Sequence, residues 1–231
     1  MIFEQLFDQK SSTYTYIIAS GEGREALIID PVIEHSNEYS TILKNLDLKL
    51  VKVIDTHIHA DHISALNELN KRTNCIRVMG EKSKSEVIDL RIKDGEKINV
   101  EEVELQAIYT PGHTDCSYSF LMNDRVFTGD TLLINGSGRT DFQNGNAYDA
   151  YDSIFNKLLK LPEKTFVFPA HDYNGKKFST IENEKNNNPR LQVSSKEEYA
   201  DIMNNLNLAN PKMMDVAVPA NVKGLTLDNI N

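Results

Sequence analysis

Positive charge is scarce: 25 Lys and Arg stand against 34 Asp and Glu, a formal net charge of −9, with no basic run anywhere. That excludes a nucleic-acid partner, because phosphate contacts need a cationic face. An anionic ligand must then be held by a few local cations against the overall field. No apolar stretch approaches the roughly 20 residues that cross a bilayer, so no membrane partner is expected. The segment MIFEQLFDQKSSTYTY has neither the basic start and apolar core of a secretion signal nor the Arg-rich, acid-poor character of a transit peptide. Cysteine occurs only at positions 75 and 116, with no CxxC pair. Cys75 and Cys116 read as small buried hydrophobes of a reducing compartment, which predicts a cytoplasmic protein. Internal repeats, low-complexity segments and Gly/Ser linkers are also missing. The chain therefore predicts one domain over 1–231, in which 207–231 is a tail packing on the rest.

What is present alternates between strand and helix patterns. YTYIIAS and EALIID read as strands, the second closed by Asp30-Pro31. Tyr39, Ile42, Leu43 and Leu46 mark one face of a helix over 36–47, and a strand over 48–54 follows. Ile63, Leu66 and Leu69 suggest the next helix. VELQAIYT alternates, YSFLM and RVFTGD flank a hairpin turn at Asn123-Asp124, a helix covers 148–160, and KTFVFPAHDY is a short strand ending in polar residues. Ser179 with Glu182 and Ser195 with Glu198 form capping-box patterns. Strands in two batches separated by helices predict two sheets with helices outside.

Polar residues collect where strands stop. The segment IDTHIHADHISAL delivers His57, His59, Asp61 and His62 after the strand at 48–54; His113, Asp130 and His171 follow three other strands. Five of the six histidines fall in this set, and only His35 is outside it. Imidazoles and carboxylates this close compete unless a cation organises them. His and Asp donors suit zinc and first-row transition metals rather than calcium or magnesium.

In this order, THIHADH, PGHT, TGD and PAHDY resemble the metal motifs of the metallo-β-lactamase superfamily. That implies an α/β fold, a four-layer αββα sandwich of two mixed sheets flanked by helices, with metal on one rim. The longer words GRTDFQ, PAHDY, STIENEKNNNPRL and NNLNLANPKMMDVAVPAN are similar to the persulfide dioxygenases, nearly end to end. The resemblance implies oxidation of glutathione persulfide by O2 and water to sulfite and glutathione, with one Fe(II) per chain held by His57, His113 and Asp130. His59, Asp61, His62 and His171 would then orient ligands and waters or form a vacant second metal site. For substrate binding it implies Arg139 as carboxylate anchor, with Tyr173, Thr114 and, more weakly, Arg190. A homodimer is compatible with the sequence. Two departures stand out: Ser137 replaces a frequent Cys, and the compact TDCSYSF segment bears on where Cys116 sits. The rivals are a glyoxalase II-like binuclear thioesterase and a non-catalytic metal module. Against the first, the residues after Leu206, with Pro211 and Pro219, predict no helical extension.

Overall fold

Alternation in the strands decides the layers. In β2 (Thr13–Ala19), Tyr16 and Ile18 join one buried cluster while Ile17 and Ala19 join another, so the strand is covered on both faces. A computed structural model describes residues 1–209, 211 and 213–230. β1 (Ile2–Asp8), β2, β3 (Glu25–Ile29), β4 (Lys49–Ile54), β5 (Ile76–Gly80) and β6 (Leu90–Ile92) form one sheet in that order. β7 (Lys97–Val100), β8 (Val103–Tyr109), β9 (Tyr118–Met122), β10 (Arg125–Gly129), β11 (Phe166–Pro169) and β12 (Ser179–Thr180) form the second. Both sheets are mixed, since β3–β4–β5–β6 and β10–β11 pair in parallel and the other pairs are antiparallel.

Between the sheets lies an aromatic and aliphatic core that includes Tyr16, Leu27, Ile54, Leu105, Phe120 and Phe127. Helices α1 (Ser36–Asn45) and α2 (Leu66–Thr73) cover the outer face of the first sheet through Tyr39, Leu43, Leu66 and Leu69. Helices α3 (Ala147–Asn156), α4 (Ile181–Asn187) and α5 (Lys196–Asn204) cover the second through Ile154, Ile181 and Tyr199. The αββα expectation holds. No helix among the described residues is long and apolar enough to cross a membrane.

Local expectations shift in three places. The helix expected over 148–160 ends at Asn156, and a 3₁₀ turn, Leu158–Lys160, carries the chain on. The cap of α4 is Thr180, which accepts from the Asn183 amide, because the Ser179 hydroxyl is spent on the buried Glu184. Ser195 does cap α5, but the Glu198 carboxylate returns to Ser194 rather than to Ser195. The tail corrects a larger expectation: α6 (Met214–Lys223) is helical with Pro219 inside it, and α7 (Leu227–Ile230) follows. Proline at that position forfeits one amide bond, and burial of Ala217 and Ala220 in the outer core of the first sheet offsets the loss.

Candidate metal centre

Register brings the strand ends to one rim. The parallel pairing of Ile29 with Ile54 sets Asp30 beside the 55–62 loop, and Phe127 beside Phe168 sets Asp130 near His171. His57, His113 and Asp130 each offer a ligand atom within 4.8 Å of the others, and His59, Asp61 and His62 make a second such group. The two groups lie at and beneath a cavity of about 710 Å³ whose walls include Asp61, His62, His113, Asp130 and His171.

Hydrogen bonds fix which nitrogens are free. Thr56 Oγ1 donates its one hydrogen to Asp30 Oδ2 at 3.0 Å, so it must accept from His57 Nδ1, also at 3.0 Å. The His57 Nε2 lone pair is left over. His113 Nδ1 lies 2.8 Å from the Arg139 carbonyl, which can only accept, and its Nε2 stands 3.6 Å from Asp130 Oδ2. His59 Nε2 bonds Asp30 Oδ1 at 3.1 Å and His62 Nδ1 bonds Asp61 Oδ2 at 3.1 Å. His59 Nδ1 and His62 Nε2 are then buried with no hydrogen-bond partner. Such orphaned donor atoms are costly unless a cation takes them, so the residues fit a metal.

Charge supports the fit. His57 is held well below the ordinary imidazole range, first by burial and then by its neighbours His59 and His113, and neutral imidazole is the ligand form. His171 uses both nitrogens on carboxylates, Nδ1 on Asp130 Oδ1 at 2.6 Å and Nε2 on Asp61 Oδ2 at 2.8 Å. Burial pulls its pKa down, but the two aspartates raise it well above the usual value. Burial likewise lowers His59, and the Asp30 carboxylate more than offsets this, lifting it to about 9, so proton and cation compete there.

Three residues on this network stand outside the candidate site residues of the sequence. Asp30 bonds Thr56 and His59. Thr13 bonds Asp61, His62 and His171 across the sheet. Asn221 reaches the 59–64 loop from α6. The Asp30-Pro31 strand end points to the first, and Asn221 closes the word NNLNLANPKMMDVAVPAN, so only Thr13 is without a pointer.

The substrate candidates separate. Tyr173 is 71% exposed and stacks on His171 at 6.2 Å between ring centroids, on the cavity wall. Arg139 also lines the cavity, but its guanidinium holds Asp141 through two 2.7 Å bonds and the Ala209 carbonyl at 2.7 Å. Arg190 lines it too, bonds the Ser137 carbonyl, and has no carboxylate partner among the described residues. Thr114 corrects its expectation: it is 1% exposed and turned inward, its hydroxyl 2.7 Å from Ser117 Oγ, away from the cavity wall. Cys116 is buried against Ile58 and Met79, and Ser137 Oγ is tied to Tyr199 Oη at 3.0 Å.

Gly138 shows how tightly the ligands are held. A Cβ there would overlap the Asp130 carbonyl and lie 2.9 Å from the His113 ring. Gly138→Ala is expected to displace His113 and lower metal content per chain severalfold, measured by elemental analysis, with the far-UV circular dichroism retained.

Residues 9–171 match the family model of the metallo-beta-lactamase superfamily. The mitochondrial persulfide dioxygenase ETHE1 of Mus musculus is 42% identical over 226 residues, 96% of this chain and 88% of that one. The crystal structure of ETHE1 from Myxococcus xanthus superposes with a TM-score of 0.94 at 48% identity, covering 96% of this chain and 98% of that one. A hydroxyacylglutathione hydrolase of Dictyostelium discoideum is 29% identical over 75% of this chain and 68% of its own. With the strand-end metal groups, the two sheets and this near-complete coverage together, the chain belongs to the metallo-β-lactamase superfamily and, within it, to the persulfide dioxygenases.

Proposed function

We propose that the chain is a non-haem Fe(II) dioxygenase converting glutathione persulfide, O2 and water to sulfite and glutathione. The observation that carries this is the His57–His113–Asp130 group, whose three donor atoms converge beside an open cavity. Two imidazoles and one carboxylate form the facial set of Fe(II) oxygenases and leave three coordination positions for substrates. Bound Fe(II) supplies the electron density that activates O2, a redox capacity zinc lacks. Written from the neutral persulfide, both atoms of O2 and the oxygen of one water join the terminal sulfur. The S–S bond breaks, the thiol leaves as glutathione, and two protons are released with sulfite.

The chain's own groups do the positioning. Thr56 and the Arg139 carbonyl set the tautomers of His57 and His113. His171 holds Asp130 Oδ1, which leaves Oδ2 turned toward His113 Nε2. The Tyr173 ring and the two arginines present a wall for a tripeptide that carries two carboxylates.

One observation favours the rival hydrolase: the orphaned His59 Nδ1 and His62 Nε2 would accept a second cation, and two metals suit hydrolysis. Against it, the match to the persulfide dioxygenase of Mus musculus covers 96% of this chain at 42% identity, and that to the hydroxyacylglutathione hydrolase 75% at 29%. Elemental analysis of chelator-free protein separates the two: about one iron per chain supports the dioxygenase, about two zinc the hydrolase. A cytoplasmic location belongs to the same proposal and rests on the two free, buried cysteines.

Arg190 is the stronger carboxylate anchor, because its charge is not already paired. Arg190→Ala is expected to raise KM with iron content unchanged and to lower kcat/KM about ten- to a hundredfold, the worth of one charge-assisted hydrogen bond. Unaltered kinetics would return that role to Arg139.

A further inference from the structure

The C-terminal helix reaches the metal loop through one side chain. Asn221, in the last turns of α6, donates from Nδ2 to the His59 carbonyl at 2.9 Å and to the His62 carbonyl at 3.0 Å. Its Oδ1 accepts the Ser64 amide at 2.8 Å. Those bonds use both amide hydrogens and the carbonyl oxygen, all on backbone groups of residues 59–64. The loop runs out of β4 and is bridged to Val32 at Ser64, so the Asn221 amide serves the His59 and His62 carbonyls and the Ser64 amide beside that bridge. The far side of the helix end is pinned as well: Ser85 Oγ donates to the Asn221 carbonyl at 3.1 Å, and the Glu86 amide to the Val222 carbonyl at 2.8 Å.

The two carbonyls held belong to the two residues whose imidazoles carry the orphaned nitrogens. A shift of either peptide would swing the ring attached to it. Neither His57, His113 nor Asp130 is touched by Asn221, so the clamp acts on the histidines beside the proposed iron ligands and not on the ligands themselves.

We propose that Asn221 is a positioning residue: the tail helix uses its side chain to fix the peptides of His59 and His62, and so the aim of those rings at the metal cavity. The kinetic consequence rests on the dioxygenase proposal; the effect on the loop does not. In Asn221→Ala, backbone hydrogen exchange of the 59–66 segment should quicken at least about tenfold, because the buried Ser64 amide loses its acceptor. Oxygen uptake on glutathione persulfide should fall in kcat about 10- to 100-fold, as for other residues that orient metal-site groups, with KM and iron content near those of the parent. Asn221→Asp keeps the acceptor for Ser64 and sets a carboxylate oxygen against the two carbonyls, so kcat should fall as far while Ser64 stays protected. This second variant carries the test if the alanine protein does not fold.

The control is Ala217→Gly, which loosens the same helix at a buried position that makes no bond to the loop. It should lower Tm and leave kcat within about twofold. Equal losses of kcat in Ala217→Gly and Asn221→Ala would overturn the proposal, leaving Asn221 a helix anchor only. Unchanged exchange of 59–66 in Asn221→Ala would overturn it as well. A parent enzyme that takes up no oxygen would count against the dioxygenase and leave the exchange experiment standing.

Discussion

His57→Ala, His113→Ala and Asp130→Ala are each expected to lose bound iron and nearly all persulfide oxidation, whereas His59→Ala is expected to keep most of its iron and lose about 10- to 100-fold in rate. Each of the first three removes one of three donor atoms that lie within 4.8 Å of one another. Asp130→Ala also removes one of the two carboxylates that balance His171, which adds an electrostatic cost to the missing ligand. His59 stands differently. Its Nε2 serves Asp30, its Nδ1 is orphaned, and it belongs to the second donor group. Metal analysis of the four purified variants beside their oxygen uptake gives the comparison. Loss of iron from His59→Ala as complete as from His57→Ala would place His59 among the ligands and favour a binuclear centre.

Zinc in place of iron is expected to abolish turnover while keeping the fold. The donor set satisfies zinc as readily as iron, so zinc-loaded protein should bind one ion tightly and gain in Tm over metal-free protein by linkage. What it cannot do is pass electron density to O2. Reconstitution of one metal-free batch with Fe(II) and with Zn(II), each followed by thermal melting and oxygen uptake, separates stabilisation from chemistry. Equal stabilisation with activity only for iron is the expected pattern. Activity with zinc would remove the redox role of the metal.

Much of this centre is legible in the sequence, because its side chains sit where strands stop. Strand ends are marked by a change from apolar alternation to polar clusters, and four of them deliver His57, His113, Asp130 and His171 to one rim. The helix-covered sheets follow from the same alternation. What stayed hidden depends on contacts between distant parts of the chain. Thr13 and His171 are 158 residues apart, and Asn221 and His59 are 162 apart; a hydroxyl or an amide in isolation carries no pattern. Arg139 was legible as a cation near the site, but its pairing with Asp141, two residues on, became visible only in three dimensions. The tail helix was missed because Pro219 argues locally against it, while the burial that outweighs that argument is tertiary. Thr114 shows the converse error: adjacency in sequence to His113 did not bring its hydroxyl to the cavity.

Oxygen accounting on a single iron-loaded preparation tests the reaction class most directly. Glutathione persulfide in air should consume about one O2 per sulfite formed, as transfer of both oxygen atoms requires, and S-lactoylglutathione under anaerobic conditions should remain intact. Rapid anaerobic hydrolysis of the thioester, with no oxygen uptake on the persulfide, would contradict the assignment and make the centre a hydrolase.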